Sequence, residues 1–133
     1  MLKIHFAVFA MAMALLLTVV SCSDEEGNPD DAYLQFVNAP PATLTAGTDV
    51  EVRWTVETDG ELHHTEIRAC MGQNPTCGLG GAESFDENFT PTMLEGEYVA
   101  TVNLSVAGQW TVAVFAHVGE TPHISDVVYV TVE

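Results

Sequence analysis

Val50, Val52, Trp54 and Val56 set four large apolar side chains at every second position, while Asp49, Glu51, Arg53 and Thr55 fill the positions between them. A period of two fits only an extended chain, whose successive side chains point to opposite faces, so this segment reads as a strand with one face in a core and the other in water. A second such run goes from about Leu62 to Cys70, with Thr65, Ile67 and Ala69 suited to the core and His64, Glu66 and Arg68 suited to solvent. The turn formers Thr58-Asp59-Gly60 between the two runs predict a hairpin.

Further on, Glu97 to Val106, Trp110 to Val118 and Ile124 to Val132 are rich in Val, Thr and aromatic residues, the types that favour strands. Tyr98, Ala100, Val102 and Leu104 fill one face of the first run, and Trp110, Val112, Val114 and Ala116 one face of the second, with Ala107-Gly108 as a tight join. Short strands near Tyr33 to Val37 and Ala42 to Thr45 complete the pattern, and Gly78 to Thr92 reads as irregular. The chain shows no helical periodicity after residue 31, and about seven short strands predict an all-β, immunoglobulin-like antiparallel sandwich.

The amino terminus follows different rules. Lys3 precedes an almost wholly apolar run from Ile4 to Val20, interrupted only by His5 and Thr18, and Ser21 then leads into Cys22. A basic start, an apolar centre and a small-residue exit are the parts of a secretory signal. Val19-Val20-Ser21-Cys22 resembles the lipobox of bacterial lipoproteins, which implies cleavage before Cys22 and lipid attachment to its sulfur. Ser23 directly after the cysteine implies delivery to an outer membrane where there is one, and Asp24-Glu25-Glu26 resembles a surface-export tag of some such lipoproteins. The expected organisation is a signal peptide over 1–21, an acidic tether over 22–31, and one sandwich domain over 32–133.

Three cysteines in an exported chain leave an odd thiol to explain. Assigning Cys22 to lipid leaves Cys70 and Cys77, separated by Met-Gly-Gln-Asn-Pro-Thr, as a disulfide pair in an oxidising compartment. A thiolate metal pair is the competing reading, and its usual spacing is about two to four intervening residues, not six.

Beyond residue 21 the only basic side chains are Arg53 and Arg68, against 19 acidic ones. Phosphate backbones repel such a surface, so nucleic acid is excluded as a partner. Cationic ligands, divalent metals or plain solubility remain.

Ala46-Gly47-Thr48-Asp49-Val50-Glu51-Val52-Arg53-Trp54, together with Gly96-Glu97-Tyr98-Val99-Ala100-Thr101-Val102 and Ala107-Gly108-Gln109-Trp110-Thr111-Val112, resembles bacterial immunoglobulin-like envelope domains. The Gly-x-Tyr-x-Ala and Ala-Gly-x-Trp spacing of the last two segments, read as a final hairpin, is similar to the domains called YtkA-like. Those are small extracytoplasmic sandwiches without established chemistry. The likeness covers residues 42–133, and it implies a fold and an extracytoplasmic setting rather than an activity.

The insert Cys70 to Gly96 departs from that pattern, with Cys77-Gly78-Leu79-Gly80-Gly81 and the acids Glu83, Asp86 and Glu87. Long loops on a rigid sandwich are natural binding places. No spaced Asp-x-Asp ladder for calcium is present, and the sequons Asn88-Phe89-Thr90 and Asn103-Leu104-Ser105 have no role in a bacterial chain.

Histidine offers one constellation, since imidazole is a common transition-metal ligand. In the immunoglobulin order the strand of His64 neighbours the strand ending at His117, with His123 in the following loop, so His64, Glu66, His117 and His123 are a candidate copper or zinc set, with Met71 as a soft addition. Ordinary exposed histidines are the alternative. Adjacent His63 and His64 point to opposite faces unless a bulge intervenes. No Gly-x-Ser-x-Gly nucleophile motif occurs, and carboxylate pairs such as Asp86 with Glu87 or Glu95 with Glu97 suit solvated loops. The expected role is a non-enzymatic, lipid-anchored module of the cell envelope that binds an envelope protein or surface ligand; copper or zinc binding through the histidines is the alternative.

Overall fold

The computed structural model describes residues 30–81 and 84–133; the apolar amino-terminal segment, Cys22 and Glu83 lie outside the described residues. Ten strands follow one another: β1 (Ala32–Asn38), β2 (Thr43–Leu44), β3 (Val50–Thr58), β4 (Leu62–Met71), β5 (Glu87–Phe89), β6 (Thr92–Leu94), β7 (Glu97–Val102), β8 (Gly108–Val118), β9 (Thr121–Ile124) and β10 (Val128–Val132). Ten replaces the expected seven for local reasons. The insert contributes β5 and β6, and the run from Ile124 to Val132 is broken, with β9 and β10 both on β8. Ser125 patches the break: its backbone N–H bonds the Val114 carbonyl and its hydroxyl accepts from the Val114 N–H. No helix among the described residues is long and apolar enough to cross a membrane.

One sheet has the order β1-β3-β7-β6, and the other β2-β10-β8-β4-β5 with β9 added on β8. All pairings are antiparallel except that of β2 with β10. In immunoglobulin lettering these sheets are A-B-E-D and A′-G-F-C-C′, which makes the domain an immunoglobulin-like sandwich by strand order.

The period-two side chains meet between the sheets. Val52 and Trp54 of β3, Ala100 and Val102 of β7, Ile67 and Ala69 of β4, and Val112, Val114 and Ala116 of β8 are all buried there. Trp54 also carries a polar handle across the gap. Its indole N–H donates to the Thr65 hydroxyl at 3.0 Å, and that hydroxyl donates to the Phe115 carbonyl at 2.7 Å. This buried relay ties the two sheets together and satisfies each polar atom, as burial requires.

Two expected hairpins are absent. Thr58-Asp59-Gly60 does reverse the chain, but β3 and β4 lie in opposite sheets, so the reversal is a crossover. The same holds for β7 and β8: the chain leaves the first sheet after Val102, buries Leu104, and enters the second at Gly108. A turn signal reports reversal and not pairing. In this sandwich the apolar faces on either side of each turn are buried by facing each other. The tight hairpin instead joins β6 to β7, where Glu95 and Gly96 both take positive φ (54° and 84°), as a two-residue turn matched to strand twist needs.

Candidate functional site

Residues 64, 66, 68 and 70 of β4 and 111, 113, 115 and 117 of β8 face away from the core, on the outer side of the second sheet. Glu66 and Arg68 were expected in water, yet they are only 9% and 7% exposed. Residues 72–81 and 84–86 fold back over them and make a second, smaller interior outside the sandwich.

Several bonds sew that segment down. The Gly72 N–H donates to the Gln109 carbonyl, the Asn74 N–H to the Thr111 hydroxyl, and the Asp86 N–H to the Ala69 carbonyl. Thr111 in turn donates its hydroxyl to the Gly72 carbonyl. Cys70 and Cys77 form the expected disulfide, with Cα atoms 5.9 Å apart and both residues buried.

Arg68 is the centre of the arrangement. Its guanidinium lies 3.4 Å from the Phe115 ring centroid and 4.5 Å from that of Phe85, so it is stacked between two aromatic faces. Nε donates to Glu66 at 2.9 Å, and one terminal nitrogen donates to the carbonyls of Gly78 and Gly80. The second Glu66 oxygen accepts from the Asn88 amide at 2.7 Å, which brings β5 into the network. The planar fork of arginine serves a carboxylate, two carbonyls and two ring faces together, and a lysine ammonium has no such geometry. Gly78 is required beside it: φ is +81°, and a Cβ there would stand 2.7 Å from Arg68 Cδ.

The pinned loop leaves two open concavities. One of about 540 Å³ lies at the far end of β4, among Met71, Asn74, Thr76, Phe85 and Asp86. The other, about 460 Å³, runs from the loop to His64, His117 and Pro122. Met71 and Tyr129 are exposed apolar side chains at the far end, 52% and 42% accessible. Tyr129 and Cys70 both pair with Thr111, so all three stand at one level of the sheet.

The histidines regroup relative to expectation. His64 and His117 are direct cross-strand partners with ring centroids 5.8 Å apart, as the strand order required. The register shifts between Leu62 and His64, and His63 thereby also reaches His117, at 5.3 Å. Glu66 lies 4.0 Å from His64 Nε2, but both its oxygens are already engaged by Arg68 and Asn88. His123 sits in β9 rather than in a loop. It pairs with the core-facing Ala116, and its Nε2–H bonds the Asp30 carbonyl at 2.6 Å, away from His117. Met71 is at the opposite end of β4 from the histidines. Among the described residues no group of three or more His, Cys, Asp and Glu is placed to hold a metal ion.

No family model matches the sequence, and no curated protein matches it. Among solved structures the chain is similar to the crystal structure of the Lin-41 filamin domain, at 11% identity and a TM-score of 0.49, over 75% of this chain and 91% of that one.

Proposed function

We propose that this chain is a lipid-anchored, non-enzymatic module of the bacterial envelope, a lipoprotein with a YtkA-like sandwich, which engages an envelope protein or surface ligand through the platform built by residues 70–81, 84–86 and Tyr129. The observation that carries the reading is the immobilisation of that loop by the disulfide, by Arg68 and by its backbone bonds to β4 and β8. A surface ordered in advance loses little conformational freedom on contact. Exposed Met71 and Tyr129 supply side-chain types enriched in interfaces.

Placement supports the same reading. Asp30, where the described chain starts, packs against Gly119 at the turn between β8 and β9, close to the start of β4. The platform is at the other end of β4, whose ten residues span roughly 30 Å. The described chain thus starts near one pole of the sandwich, and the platform lies at the other. Chemistry is disfavoured because Cys70 and Cys77 are joined to each other, and the histidines contact one another, a carboxylate, an aromatic ring or a backbone carbonyl rather than a hydroxyl nucleophile.

The anchor is tested by feeding the producing bacterium an alkyne-tagged fatty acid. The wild-type chain should carry the tag and fractionate with membranes, and Cys22→Ala should lose both; a tag or membrane association that survives Cys22→Ala overturns the anchor.

A further inference from the structure

We infer that His64 and His117, with His63 as a neighbour outside the ligand pair, form an exchangeable site for a borderline divalent transition-metal ion, zinc or copper(II), near the start of β4 in the second sheet. The site shares a concavity with the loop, but its ligands are not the residues that hold or present the platform, so His117→Ala tests it without loosening the loop. His64 and His117 oppose each other on adjacent antiparallel strands, both on the outer face, with rings 5.8 Å apart and nearly perpendicular at 86°. Two imidazoles sharing one tetrahedral ion at an ordinary metal–nitrogen length of about 2.0 Å have centroids roughly 5 Å apart, so closure takes a small rotation of exposed side chains.

The bulge sets a neighbouring ring beside the pair rather than a third ligand. A strand without irregularity sends His63 to the face opposite His64. The register shift between Leu62 and His64 re-aims it, and its centroid stands 5.3 Å from that of His117. His117 is half-buried between two exposed histidines, and so is the fixed member of the set.

The surroundings orient the second ligand. The His64 ring rests against Phe115, with centroids 5.3 Å apart, and Glu66 sits 4.0 Å from its Nε2 while held in place by Arg68 and Asn88. At 4.0 Å the carboxylate makes no hydrogen bond to the ring, and its negative charge favours a cation held beside it. With Glu66 engaged elsewhere and His123 turned away, the protein offers two imidazoles and, among the described residues, no third ligand. Positions left to water or to a partner's donor mark a site that exchanges its ion, since structural zinc sites close with four protein ligands.

The test uses the full chain purified in detergent, with free thiols alkylated and metals stripped, titrated calorimetrically with zinc alone and with copper(II) alone. Saturable binding at one ion per chain is expected. His117→Ala and the double variant His63→Ala/His64→Ala should weaken it by at least about tenfold, the low end of what even an outer-contact change costs. His123→Ala should leave it unchanged. The copper(II) form should show imidazole nitrogen couplings in its electron paramagnetic resonance spectrum, lost in His117→Ala. Absence of one-to-one binding, full affinity in His117→Ala, or equal loss in His123→Ala overturns the site.

Discussion

Arg68→Met removes the guanidinium while keeping an apolar stem in the gap between Phe115 and Phe85. It leaves Glu66 with Asn88 as its one remaining close donor, and frees the carbonyls of Gly78 and Gly80. The Arg68 and Glu66 side chains are 9% and 12% exposed, so water screens the pair little. Breaking a buried pair by removing one partner costs about 3–5 kcal/mol, and the surviving Asn88 bond favours the lower end. For a domain of this size about 3 kcal/mol lowers Tm by roughly 15 °C. Urea unfolding followed by the fluorescence of the two buried tryptophans, Trp54 and Trp110, measures the loss directly. Hydrogen exchange then locates it: the amides of Gly78 and Ser84, which close the loop on itself, should lose protection while Trp54 keeps its own. Arg68→Lys should fall between, because charge returns without the fork. A variant within about 0.5 kcal/mol of wild type, the range of ordinary surface changes, refutes the view that Arg68 holds the loop.

Thr65→Val leaves the Trp54 N–H buried without its acceptor, and should cost about 1–3 kcal/mol in the same denaturation assay. Replacing Cys70 and Cys77 together by Ser opens a short loop and should cost roughly 2.5 kcal/mol by chain entropy, read as a lower urea midpoint with the far-ultraviolet spectrum unchanged. Gly78→Ala meets both a positive φ and the Arg68 side chain, so it should match or exceed the glycine-to-alanine strain of about 1 kcal/mol; a neutral result would mean that the loop is not packed as described.

The inner faces were legible in the sequence because alternation reports burial directly: Val52, Trp54, Ile67, Ala69, Val112 and Val114 all point where their spacing put them. Pairing was less so. Period two says which face a residue joins but not which strand lies beside it, and so the turns at 58–60 and at Ala107-Gly108 read as hairpins though both are crossovers. The burial of Glu66 and Arg68 was hidden for another reason, since it depends on residues 72–81 and 84–86 returning over them. Sequence had marked that loop as a binding candidate without showing what pins it. His63 joined His117 through a bulge that no local residue type announces, although a bulge was the stated condition for both adjacent histidines to share a face.

The proposed platform predicts where the domain touches its partner. A photo-crosslinking amino acid placed at Met71 or Tyr129 of the full chain in the living bacterium, with Tyr33 in the other sheet as the control, reads that out. A discrete adduct from Met71 and Tyr129, absent from Tyr33 and lost when Arg68→Met loosens the loop, is expected. Adducts equal at all three positions, or from Tyr33 alone, would contradict the platform as the working surface.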